Sequence, residues 1–166
     1  MTTNPAIDSI RFGLVAAWAG AAIFFSATVA PAAFGVLRGA QLPNADEWAG
    51  AIVSRALGVV NLSGFVVALL ALFLGLALRH TARRGLFITE TVLLSLVALT
   101  TGAGQWIIDA RMKALRAAAG RPLAELAKTD AVRVAFDQLH SYSVIVLSIG
   151  MLAALAALGV MAVRRV

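Results

Sequence analysis

An all-α integral membrane four-helix bundle, with helical hairpin extensions protruding on the side opposite the termini, is the fold class this sequence predicts. Three observations predict it. Apolar residues make up 61% of the chain and charged residues only 13%, against about half and about a quarter in soluble domains. Four stretches carry the apolar excess, and each is long enough to cross a hydrocarbon layer of about 30 Å as a helix. None shows the period-two alternation of a barrel strand, and all are rich in Ala and Leu. Helices also satisfy their own backbone polar groups, as lipid demands. The 166 residues are expected to form a single transmembrane domain.

The first span, approximately 11–37, follows from the uncharged run Phe12 to Leu37. "SATVAPA" offers small residues for cleavage. The stretch before Arg11 has no basic residue, however, and the run is too long for a signal peptide, so the segment is expected to stay as a membrane helix. Pro31 removes a backbone donor and is expected to kink this helix or end it early. Gly13, Ala17, Gly20, Phe24, Ala27 and Pro31 share a face that is expected to point inward, because small residues let helices approach closely in lipid.

The second span, approximately 55–79, is the uncharged run Ala56 to Leu78. Ahead of it, "LPNADEWAGAIVSR" reads as a helix start. Asn44 is the expected cap, with Asp46 and Glu47 in the first turn where the helix dipole favours acids. An extramembrane helical segment is therefore expected over approximately 44–54. Gly58, Asn61, Gly64, Ala68 and Gly75 form the expected inner face.

The third span, approximately 85–109, carries one charge, Glu90, between Gly85 and Ile108. It is expected to continue through "DARMKALRAAA" to a stop at Gly120, with Pro122 beyond. Pro122 suits the first turn of a short helix through Lys128, and Thr129 or Asp130 suits the cap of a last helix starting near Ala131. Residues 110–136 are thus a second extramembrane helical segment. The alternative lays "ARMKALRAAAG" flat on the bilayer, since Met112, Leu115 and Ala119 share a face. The fourth span, approximately 137–163, holds His140 as its one ionisable group after Asp137. His140, Leu147, Gly150, Met151 and Ala154 form its expected inner face.

The net charge of +6 invites a nucleic-acid reading. The arginines instead flank the spans, as Arg79, Arg83, Arg84, Arg164 and Arg165 do, which is the pattern of a membrane protein. The compact basic loop "RHTARR" leans both termini towards the cytoplasm. The absence of cysteine excludes disulfides, thiolate metal sites and thiol catalysis.

Charges inside a membrane need a reason, so each is a site hypothesis by default. Glu90 lies about two turns into the third span on the terminus side. It either pairs with Arg11 or Arg164 or binds a proton or cation. Helix directions gather Arg55, Asn61, Gln105, Asp109, Asp137 and His140 in the far half of the bundle. That polar cluster is either a hydrogen-bonded lock between helices or a site. For His140 the options are a structural bond, proton carriage with Asp137 one turn away, or ligation of copper or haem. One intramembrane histidine is a thin ligand set, and no cofactor is required by the sequence. No phosphate loop, nucleophile elbow or metalloprotease motif is present, so no enzyme is expected.

"WAGAAIFFSATVAPAAFGVL", with Trp18, Gly20, Phe24, Phe25, Pro31 and Phe34, resembles the opening of a bacterial four-helix membrane family of unknown function related to transmembrane protein 205. "IIDARMKALRAA" resembles its segment after the third helix. "FDQLHSYSVIVL" resembles its Phe-x-x-Leu-His-x-x-Ser opening of the last helix through Phe136, Leu139, His140 and Ser143. The resemblance implies a bacterial inner (plasma) membrane protein. Through distant relatives similar to copper-resistance D-like and haem-binding porphyrinogen oxidase membrane domains, it keeps metal or haem handling in view. The expected function is a non-catalytic accessory or scaffold subunit of a membrane complex, in contact with the bilayer and with other subunits or a second copy. The alternatives are copper or haem handling, ion or proton transport around His140, and a cofactor-dependent membrane oxidoreductase.

Overall fold

The computed structural model describes residues 5–76 and 84–165. The basic loop residues Arg79, His80 and Arg83 lie outside them. Four long helices dominate the described residues: α1 (Pro5–Gly39), α2 (Ala45–Leu76), α3 (Arg84–Ala119) and α4 (Ala131–Arg165). Each is long and apolar enough to cross a membrane, and no strand occurs among the described residues. Each helix packs on the next in chain order and α4 closes the ring against α1. The result is an up-and-down four-helix bundle, an integral membrane fold.

The core is built mostly of alanine: Ala19, Ala22, Ala68, Ala71, Ala98, Ala153, Ala154 and Ala157, with Val15, Trp18, Leu94, Val97 and Met161. The large apolar side chains point outward instead, with Phe73 72%, Leu99 70% and Leu152 66% exposed. Small-inside and large-outside inverts the order of a water-soluble bundle. It suits a lipid solvent, where burying a leucine gains little and close helix contact gains dispersion.

Notches in one helix receive side chains from the next. Gly64 faces the Trp18 indole so closely that a Cβ there would lie 2.5 Å from the ring. The indole N–H donates to the Val60 carbonyl at 2.9 Å. This contact fixes how α1 is rotated. Val15, Trp18, Ala19, Ala22 and Phe25 point inward. The glycine-bearing face expected to be interior points out instead: Phe24 is 60% exposed, and Gly13 and Gly20 have nothing near a would-be Cβ. The need of the Trp18 N–H for an acceptor outweighs the close-packing advantage of a small-residue stripe.

Pro31 neither ends α1 nor leaves it regular. The helix widens into a π turn at Phe25–Val29, where the Ala30 N–H donates to the Phe25 carbonyl, and then runs on to Gly39. Proline lacks the N–H that the Ala27 carbonyl would accept, and its ring presses on that carbonyl, so widening the preceding turn relieves both problems. A second π turn, Ala103–Ile108, interrupts α3, with the Asp109 N–H reaching Gly104. It inserts one residue and turns the following segment by about 100°.

The far-side connections follow local chemistry. Gln41 and Asn44 adopt positive φ of 53° and 56°, and the Asn44 carbonyl accepts from the Glu47 and Trp48 amides at 3.0 and 3.1 Å to open α2. Gly120, at φ 62°, ends α3 in the left-handed conformation. The Asp130 carboxylate caps α4 through the Val132 amide at 2.8 Å. Between them, the helix expected through Lys128 reduces to one 3-10 turn, Leu123–Glu125. Pro122 and Leu126 are extended on either side of it. Arg133 takes the Leu126 and Ala124 carbonyls at 2.7 and 3.3 Å, bonds that satisfy these carbonyls without a longer helix.

Gly64→Ala is expected to push the Trp18 ring away and break its bond to Val60, costing about 1–3 kcal/mol. Gly20→Ala, at an open position, is expected to be neutral or slightly stabilising. Thermal unfolding of the two variants in the same detergent compares them directly.

Candidate functional site

Ionisable and polar groups gather at two levels. At the terminus side, Glu90 of α3 is 1% exposed and Arg11 of α1 is 2% exposed. Arg11 donates through Nη2 to Glu90 Oε1. Arg164 of α4 donates through Nη1 to Glu90 Oε2 at 3.2 Å and through Nη2 to Asp8 Oδ1. Arg11 Nη1 stands 3.6 Å from the same Asp8 oxygen. Arg11 Nε donates to the Ala71 carbonyl of α2 at 2.8 Å, and Nη1 makes no hydrogen bond among the described residues. Gly75 leaves the room this guanidinium needs, since a Cβ there would lie 2.7 Å from Nη2. Two positive and two negative charges thus sum to zero, and the carbonyl brings in the fourth helix.

At the far side a chamber of about 270 Å³ opens between the helix extensions. Its floor is Leu57, Gly104 and Ser143, and charge rises towards its rim. Arg38 reaches across to Asp46 at 2.6 Å and lies over the Phe34 ring. Arg116 approaches Glu47 at 3.7 Å and stacks 5.0 Å from the Phe136 ring centroid. Ser54 donates to Asp109 Oδ1 at 3.3 Å, and Lys113 holds Oδ2 at 2.6 Å. The π turn in α3 creates this wall. The row Glu90, Leu94, Val97, Thr101 of the straight segment continues as Asp109, Met112 and Arg116, one residue later than an uninterrupted helix would give.

Of the far-half residues singled out in the sequence, Asp109, Asp137 and His140 line the chamber together. Asn61 and Gln105 do not line it. Asn61 is buried with its amide against Gly104, and Gln105 turns its Oε1 towards Gly58, where it has no hydrogen-bond partner among the described residues. Arg55 is exposed and lines nothing, because it sits one residue, about 100°, beyond Ser54 on the lining face. Asp137 and His140, a turn apart, make no side-chain bond to each other. Sequence reasoning missed Asp8, whose spacing to Arg11 was a readable i, i+3 signal. Ser143, which follows His140 by the same interval, entered only through the family resemblance and not as a member of the polar cluster.

Residues 13–121 match the model of a family described as Domain of unknown function (DUF4149), which is most of the chain. The match takes in Glu90, the α1 motif and the α3 extension, and it stops short of the "FDQLHSYS" opening of α4. No curated protein and no solved structure matches the chain.

Glu90→Gln leaves two buried guanidiniums facing one carboxylate. A loss of about 3–5 kcal/mol is expected, as for breaking one partner of a buried pair. In the double variant Arg11→Gln/Glu90→Gln the loss is expected to fall clearly below the sum of the single losses, because the two residues share one network. Reversible unfolding in mixed micelles measures both, and additivity would show that they do not interact.

Proposed function

We propose that this chain, which belongs to the DUF4149 family of domains of unknown function, is a non-catalytic multi-pass membrane protein that works as an accessory or scaffold subunit. The observation that carries the reading is Glu90. Both of its oxygens accept from guanidiniums of two other helices, and the side chain is 1% exposed, so the charge inside the span joins helices and is closed off from a passing ion. A bundle fastened in this way suits a fixed frame. Its surplus length supports the role. At 1.5 Å per residue the helices reach about 50 Å, well beyond a hydrocarbon core of about 30 Å. The charged residues from Asp109 to Arg116 and from Arg133 to Asp137 favour a surplus on the far side, where a partner would meet it.

A second reading, ion or small-molecule handling at the far side, is favoured by His140 and Asp137, which face the chamber with no side-chain partner among the described residues. Copper and haem fit it poorly. Among the described residues no three His, Cys, Asp or Glu side chains come together to hold a metal, and a lone imidazole makes a thin donor set.

Extraction into lipid nanodiscs followed by native mass spectrometry and an optical spectrum tests the choice. A membrane partner at fixed stoichiometry, with no absorbance from a pigment, is the expected result. A lone chain that drives ion flux in liposomes, with the flux lost in Asp137→Asn or His140→Ala, would replace the first reading with the second.

A further inference from the structure

We infer that the far-side chamber is a binding site for a small amphiphilic cation, a primary ammonium on an apolar body. The inference does not depend on the accessory role, since a subunit and a lone protein would carry the same chamber. It rests on which of the lining groups are already committed.

The chain as a whole is basic, yet its chamber is lined by three arginines against four carboxylates. Arg38 is held by Asp46 and the Phe34 face. Arg116 lies 3.7 Å from Glu47 and over the Phe136 face, and its Nε makes no hydrogen bond among the described residues. Arg133 donates through Nη1 to two backbone carbonyls. Asp137 is different: it lines the chamber, and among the described residues its carboxylate has no cation and no donor. Below it on the same face of α4 come His140 and then Ser143. Ser143 is only 8% exposed, and its hydroxyl, on the chamber floor, makes no hydrogen bond among the described residues. The hydroxyl is reachable from the chamber, so a molecule entering the chamber could complete it. Asp137, His140 and Ser143 therefore form a ladder of free acceptors running inward, one turn per step.

The lining from α2 and α3 adds apolar surface in Val53, Leu57 and Met112 between polar groups nearer the rim. A ligand matching both walls has a charged donor at one side and hydrocarbon at the other. An ammonium offers three donors and no acceptor. That suits a carboxylate, an imidazole and a hydroxyl better than a carboxylate or phosphate would. A volume of about 270 Å³ is that of about nine waters at about 30 Å³ each, which suits a body of six or so carbons.

The test uses the full chain in nanodiscs and three probes of one shape: hexylamine, hexan-1-ol and hexanoate. Titration calorimetry, with empty nanodiscs subtracted, is expected to show one saturable site for hexylamine. Its affinity should exceed that of the alcohol and the acid by about tenfold or more. Asp137→Asn, a change at an exposed side chain, is expected to lower the amine's affinity about tenfold and leave the alcohol unchanged. Ser143→Ala is expected to weaken the amine severalfold, and Arg55→Gln, away from the chamber, to leave it as it was. Equal binding of the alcohol, tighter binding of hexanoate, or an Asp137→Asn protein that holds the amine as before would each overturn the assignment. Native mass spectra of the same samples report the subunit question separately.

Discussion

A carboxylate in the interior of a membrane protein must be neutralised where it stands, and in this fold that requirement organises one end of the bundle. Glu90 alone would be costly at its depth. Arg11 and Arg164 balance it, Asp8 balances the surplus guanidinium, and the Ala71 carbonyl accepts from Arg11 Nε. Because these groups come from all four helices, their charges are balanced in one arrangement of the bundle and in few others. The direction of α1 then follows. With Arg11 turned inward to Glu90, Val15, Trp18 and Ala22 must follow it, and the glycine face must turn to lipid.

The packing above that network repeats one motif. A glycine on one helix makes room for a polar or aromatic side chain of another: Gly75 for Arg11, Gly64 for Trp18, Gly104 for Asn61. In water such notches would weaken a core by lost apolar burial. In lipid, where burial contributes little between helices, shape and polar satisfaction decide the fit. Alanine fills the rest because it permits the close approach these side chains need.

The membrane class and the four helices were plain in the sequence, since charge-free length is a direct consequence of the solvent. So were the stop at Gly120 and the acids opening α2, which depend only on neighbours in the chain. The terminus-side network was half legible: Glu90 announced itself by its depth, and Arg11 and Arg164 were within reach of it, but Asp8 was passed over. The far half was harder to read. Grouping Arg55, Asn61, Gln105, Asp109, Asp137 and His140 by depth placed them at nearly the same level, yet depth does not give rotation. The π turn in α3 sets that rotation, and a pattern read at 3.6 residues per turn cannot anticipate it. Gln105 falls inside the turn and Asp109 beyond it, so they face different neighbours.

That π turn separates the fates of the two ends. On its near side α3 carries Glu90 and the residues that hold the bundle closed; on its far side it carries Asp109, Met112 and Arg116. Losing or gaining one residue within Ala103–Ile108 would swing the distal segment by about 100° while leaving the charge network in place. The chamber's third wall can therefore be exchanged by a single codon event without a penalty at the fastening. A one-residue change at the π turn would thus re-aim the far-side surface on an unchanged frame.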